Sequence, residues 1–254
     1  MTEPELMNSV ATWRRLLAEF VGTALLVAAV VGSGIMATTL SPGDVGLQLL
    51  QNSVATAFAL GALILTFGPI SGAHFNPVVS AADWWLGRRH GTGLTASDLA
   101  GYAAAQTLGA ISGSVLANSM FDLAPVTIST TTRSGAHLWL GEVVATTGLL
   151  LLIFALVRSG RAAVAPAAVG AYIGAAYWFT SSTSFANPAV TIGRAFTDTF
   201  AGIAPASVPA YIGAQLVGLL AGMGLLAALY PHAGVNADQV VVPHDETAPV
   251  RSRV

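Results

Sequence analysis

The sequence predicts an all-α membrane protein: six transmembrane helices and two re-entrant half-helices. Three observations predict it. The 254 residues are 54% hydrophobic and only 9% charged, against about 25% charged in a typical soluble domain. Six stretches reach the length of about 20 mostly apolar residues that a spanning helix needs. An Asn-Pro step among small polar residues occurs twice, at Asn76-Pro77 and Asn187-Pro188, each time between long apolar runs.

The first apolar stretch, 13–39, follows Trp13-Arg14-Arg15, a flank that would suit a secretory signal. Its apolar run from Leu16 to Leu40 is too long for a signal core and contains Glu19, so it reads as a retained helix after a short segment 1–12. The turn residues Ser41-Pro42-Gly43-Asp44 separate it from the second stretch, 46–68. Asn76 then starts a short helix, 76–87, with its side chain as cap and Pro77 at the first helical position. A third stretch spans 98–119, and a Thr- and Ser-rich loop covers 120–136. The fourth, 137–158, ends at the turn Arg158-Ser159-Gly160-Arg161, and the fifth covers 163–181. Asn187 and Pro188 open a second short helix, 187–197, before the sixth stretch at 207–230. The mixed, charged, proline-containing segment 231–254 reads as a disordered tail. Residues 13–230 therefore form one domain.

Arginine placement orients the helices, because cytoplasmic loops carry the excess of cations. With the N-terminus cytoplasmic, eight arginines fall inside and only Arg133 and Arg194 outside. Both termini are then cytoplasmic. Trp13, Trp139 and Trp178 fall near helix ends, at the level of the membrane interface.

Glu19, Asn76-Pro77 and Gln106 recur in the same order as Glu142, Asn187-Pro188 and Gln215, at offsets of 123, 111 and 109 residues. The repeats cover about 13–119 and 137–230. Three spans per repeat is an odd number, so the second repeat crosses the membrane in the opposite sense. The prediction is an inverted 3+3 repeat around a central pore, with interrupted segments in corresponding positions marking the transport site.

Half-helices entering from opposite faces point their positive N-terminal ends at each other. Each Asn oxygen is spent as a cap, which leaves its NH2 group to donate into the lumen. The lead-ins Ser71 to Phe75 and Ser182 to Ala186 offer carbonyl acceptors, since irregular backbone at membrane depth survives only where it is buried or lines a cavity. Such a lane suits small uncharged hydroxylic molecules and opposes cations. Glu19 and Glu142 are costly at this depth. They read as supports that accept from lead-in N–H groups, with a proton relay as the alternative. His74 reads as a structural side chain beside the first lead-in, with a gate as the alternative. Gln106 and Gln215 either join helices or support the lane, and Gly22, Gly109, Gly213 and Gly218 read as close-packing positions.

Other classes are excluded by what is missing. A net charge of −2 with no basic cluster argues against nucleic acid. With no cysteine there is no disulfide, thiolate metal site or thiol nucleophile. There is no His-Glu-x-x-His, and His90, His137, His232 and His244 form no ligand spacing. The sequence therefore calls for no metal, no cofactor and no catalytic residue.

The segments Ser71-Gly72-Ala73-His74-Phe75-Asn76-Pro77-Val78 and Phe185-Ala186-Asn187-Pro188-Ala189 resemble the paired motifs of the aquaporin and glycerol-facilitator family. Ala18-Glu19-Phe20-Val21-Gly22-Thr23 resembles its first-helix signature, and the likeness covers about 12–230. The resemblance implies one pore per subunit, a homotetramer in a lipid bilayer, and passive conduction of water, glycerol or similar neutral solutes. Asn76, Pro77, Val78, Asn187, Pro188 and Ala189 would form the pore midplane.

Two departures stand out. Val78 replaces an alanine, and Val190 stands where the family places the arginine of its outer filter. Counted from the motifs, the other filter positions are Thr56, Ala175 and Ser184, all small, which implies a wide and weakly charged filter. Arg194 lies one turn beyond Val190, a displacement of about 5 Å. It is either a displaced filter arginine or, as we prefer from sequence, an i,i+4 partner of Asp198 at the pore mouth. Valine with a downstream arginine resembles a bacterial branch linked to arsenic handling. That implies arsenite or methylated arsenicals as solutes and a bacterial-type inner (plasma) membrane. A strict water channel and a coupled carrier remain the alternatives. A carrier needs charge at mid-membrane, and only Glu19 and Glu142 supply it.

Overall fold

Capping residues and turns divide the apolar runs into helices, which a computed structural model describes over residues 10–88 and 92–230. The first two are α1 (Thr12–Leu40) and α2 (Val45–Ser71), followed by the half-helix α3 (Pro77–Gly87). Next come α4 (Ala96–Met120), α5 (Ala136–Arg158) and α6 (Ala165–Phe179), the last entered through a 3₁₀ turn at Ala162–Val164. The second half-helix, α7 (Pro188–Gly193), and the long α8 (Val208–Leu229) complete the order. No strand occurs among the described residues. The predicted tail 231–254, with Arg89 and His90, lies outside them.

Local chemistry sets the helix ends. Asp44 caps α2 by accepting from the Leu47 N–H at 2.9 Å. Thr95 and Asp98 form a reciprocal capping box at α4. The second helix runs past its predicted end, taking Pro69 into its last turn, and the chain leaves through Gly72 at φ 82°. A left-handed residue there is what glycine permits at little cost. The second half-helix is shorter than predicted: α7 ends at Gly193 and a 3₁₀ turn, Arg194–Phe196, follows.

Helix α1 packs against α2 and α4, α5 packs against α8, and α2 meets α6 between the two repeats. Glycines allow the tight crossings. A Cβ at Gly109 would lie 2.3 Å from the Phe20 carbonyl oxygen, and one at Gly218 would lie 2.7 Å from the Thr146 Cβ. Gly22 leaves room for the Phe75 ring. Gly213 corrects the sequence reading: a Cβ there would meet nothing within 4 Å.

Five of the six long helices are apolar enough to cross a membrane. The sixth, α4, has 25 residues but carries Gln106, Ser114 and Asn118 buried in the bundle. Large apolar side chains such as Phe58, Leu65, Leu108 and Trp178 lie exposed on the outer surface, as a lipid-facing wall requires. The polar loop 121–135 is pinned to the segment after α7. Ser129 N–H donates to Ala195 at 3.0 Å and Ala204 N–H to Thr131 at 2.7 Å. Thr130 donates backbone and hydroxyl hydrogens to the Asp198 carboxylate, at 2.8 and 3.1 Å.

Candidate functional site

The two half-helices start beside each other. Asn76 caps α3 by accepting from the Val78 N–H at 3.1 Å. Asn187 caps α7 by accepting from Ala189 and Val190 at 3.0 and 3.2 Å. Their amide groups are not wholly free, which corrects the sequence expectation. The Asn76 Nδ2 donates to the Ala186 carbonyl and the Asn187 Nδ2 to the Phe75 carbonyl, each at 2.7 Å. Each cap is thus tied to the opposite lead-in, and one hydrogen per amide remains for the lumen. An NH2 group buried with neither hydrogen bonded would be expensive. The crossed pair also consumes two carbonyls that the sequence reading assigned to the lane.

The lead-ins turn through left-handed backbone. Ala73, Phe75, Thr183, Ser184 and Ala186 all have φ between 47° and 61°. Such residues cost about 1–3 kcal/mol each and persist only where the surroundings fix them. Two buried glutamates supply that fixing. Glu19 accepts from the Ser71 hydroxyl at 2.6 Å and the His74 and Phe75 N–H groups at 3.0 and 2.7 Å. Glu142 accepts from the Phe185 and Ala186 N–H groups, both at 2.8 Å. Gln106 and Gln215 each bridge one glutamate to a half-helix hydroxyl, Ser80 and Thr191 respectively. His74 Nδ1 lies 3.0 Å from the Ser80 hydroxyl, with its ring edge-on to Tyr102.

A cavity of about 60 Å³ runs between the repeats. Its wall is mostly apolar, with Leu26, Leu60, Ile64 and Val79 on one side and Leu149 and Ile153 on the other. The polar groups on it are few, among them Thr56, His74, Asn76, Tyr177, Ser184 and Asn187. Val190 and Arg194 also line it. Val78, Pro188 and Ala189 are buried but are not part of this wall, and Pro77 is half-buried.

One filter residue assigned from sequence is misplaced. Ala175 is exposed on the outside of α6, whereas Ile173 and Tyr177 face the cavity. A shift of two residues turns a helix by about 200°, which explains the exchange. The Tyr177 hydroxyl lies 3.2 Å from that of Thr56.

Arg194 is also corrected. It makes no pair with Asp198, which is held by Thr130. Its side chain is buried, its Nε donates to the Ala201 carbonyl, and its guanidinium carbon lies 3.4 Å from the centre of the Phe185 ring. Tyr177 and Arg194 also line a second cavity of about 200 Å³, with Asn52, Thr183 and Arg133. They therefore mark the boundary between the lumen and this outer chamber. Arg133 lies 5.3 Å from the same ring and donates to the Gly202 and Phe200 carbonyls. Burial lowers its pKa from the ordinary arginine value, and the nearby Tyr211, Tyr177 and Glu142 partly offset this. Sequence reasoning missed Tyr177, Phe185 and Arg133. Hydroxyl-bearing rings amid the small residues of α6 were the available signal, but they do not separate Tyr177 from Tyr172.

Residues 6–186 match the family model described as "Major intrinsic protein". The chain belongs to the major intrinsic protein family. It is an integral, multi-pass membrane protein of a family of channels rather than enzymes. Among curated members it is 51% identical to aquaglyceroporin AqpS of Rhizobium meliloti, over 84% of this chain and 88% of that one. It is 31% identical to aquaporin AqpM of Methanothermobacter marburgensis, over 76% of this chain and 87% of that one. The X-ray structure of the aquaglyceroporin from Plasmodium falciparum superposes with a TM-score of 0.65 at 20% identity, covering 88% and 99% of the two chains. That likeness supports the fold.

Proposed function

We propose that the protein is a passive channel for small uncharged solutes: water, glycerol-like polyols and neutral metalloid acids such as arsenite, with methylated arsenicals in the same class. The observation that carries this is the crossed pair of asparagines. It leaves two single N–H donors at the midpoint of a mostly apolar lane. A neutral hydroxylic solute exchanges its water hydrogen bonds for these donors and slides its carbon face along the wall. A cation meets two half-helix N-termini and loses its hydration shell without compensation.

On this reading the outer filter consists of Thr56, Ser184 and Val190, with Tyr177 in place of Ala175 and Arg194 as a displaced cation at the mouth. The buried Ser184 hydroxyl has no protein partner, which suits it to a passing hydroxyl group. The protein then works as a homotetramer in a bacterial-type inner membrane, with both termini cytoplasmic. Glu19, Glu142 and His74 hold the lead-ins and take no part in transport chemistry.

Stopped-flow light scattering on proteoliposomes tests the reading. Wild type is expected to pass water, glycerol and arsenite, with rates unchanged when H+ and Na+ gradients are collapsed. Val190→Arg is expected to lose glycerol and arsenite at least tenfold while keeping water. One observation favours the strict water channel instead: Tyr177 and Arg194 reach the boundary that small residues were expected to leave open. If wild type passes water alone and Tyr177→Ala admits glycerol, that second reading replaces the first.

A further inference from the structure

Among the described residues, the outer chamber is lined by two guanidinium groups and no carboxylate. Its wall is Val45, Leu49, Asn52, Tyr177, Thr183 and Phe200, with Arg133 and Arg194. Arg194 is only 3% exposed, yet among the described residues its side chain makes a single hydrogen bond, from Nε to Ala201. Its terminal nitrogens, each carrying two N–H donors, have no protein acceptor. Arg133 enters from a different segment, the loop 121–135, and lies over the same ring. The carboxylates nearby are committed elsewhere. Asp198 is taken by Thr130, Glu142 by two backbone N–H groups and Gln215, and Asp44, which precedes Val45, by the Leu47 N–H.

The terminal nitrogens open onto the chamber, where a charged acceptor binds a guanidinium more strongly than water does. A planar carboxylate matches the guanidinium fork with two parallel hydrogen bonds. The Glu142 carboxylate acts on both guanidiniums and offsets part of their charge, so the chamber stays positive by less than two charges. That favours a monovalent ligand over a divalent one. We infer that the chamber between Arg194 and Arg133 binds a small monovalent oxyanion of the carboxylate class, which then sits across the entrance to the lumen. The hydroxyl of Thr183, on the same wall, has no protein partner among the described residues and adds a further donor.

The plugging half of this inference rests on the channel reading; the binding half does not. The experiment therefore has two readouts on the full-length protein. Saturation-transfer NMR on detergent-purified protein at neutral pH compares acetate with acetamide, its neutral isostere. Acetate is expected to bind saturably in the millimolar range, and acetamide at least tenfold more weakly. Arg194→Gln should weaken acetate at least tenfold. Arg133 also anchors its loop, so the second variant is Val45→Glu. Val45 is 65% exposed in the first turn of α2, where a carboxylate is tolerated by the helix dipole. It places a competing charge at the chamber and should weaken acetate similarly, while Arg161→Gln should leave binding unchanged. Equal binding of acetate and acetamide, or unaltered acetate binding in both test variants, overturns the site. In proteoliposomes, external acetate should slow glycerol entry at least threefold relative to acetamide. Acetate that binds without slowing entry puts the site off the path and overturns the plug. If glycerol does not enter at all, the channel reading falls while NMR still decides the binding site.

Discussion

Glu142 spends both carboxylate oxygens on the second lead-in and on Gln215. Glu142→Gln keeps the shape but turns one acceptor into a donor that faces another donor. A buried N–H left unpaired costs about 1–3 kcal/mol. The variant should therefore unfold at a lower temperature in detergent than wild type, by circular dichroism. An unchanged midpoint would mean that the lead-in amides have another acceptor. This pair was legible in the sequence because an ionisable residue inside an apolar span requires a reason. The crossed asparagine bonds were not, since nothing local reveals that a cap's second group reaches a carbonyl more than a hundred residues away.

Helix α6 shows where legibility ends for an element. Its residues, Ala-Pro-Ala-Ala-Val-Gly-Ala-Tyr-Ile-Gly-Ala-Ala-Tyr-Trp-Phe, are apolar or small on every side. A helix flanked by lipid on one face and an apolar lane on the other has no polar stripe to set its phase. The offset count that selected Ala175 therefore missed the lane by two residues, and only packing places Tyr177 there. The helix ends were easier to read, because Asp44, Thr95 and the two asparagines are caps with their own chemistry. Glycine gives a paired test at this scale. Gly109→Ala forces a methyl group against the Phe20 carbonyl, and overpacking of this kind costs about 1–3 kcal/mol. Gly213→Ala meets open space and should stabilise α8 by up to about 1 kcal/mol through helix propensity. Thermal unfolding in detergent should move in opposite directions for the two. Equal shifts would mean that the α1–α4 crossing yields freely.

Across the whole molecule, the absence of cysteine predicts that mercurials leave water permeability unaltered, measured in the same liposomes with and without a thiol scavenger. Rapid inhibition reversed by the scavenger would contradict this. The paired order of Glu, Asn-Pro and Gln made the architecture readable, whereas the outer loop's stitching onto residues 195–204 left no periodic trace. The crossed asparagine bonds also have a meaning in time. Their partners are 110 and 112 residues apart. At a synthesis rate of about 5–20 residues per second, the second asparagine emerges roughly 6–22 s after the first. Throughout that interval the Phe75 carbonyl and the Asn76 amide are without their final partners. The early half of the chain must therefore wait on the ribosome in a provisional form, sheltered by water or by the insertion machinery.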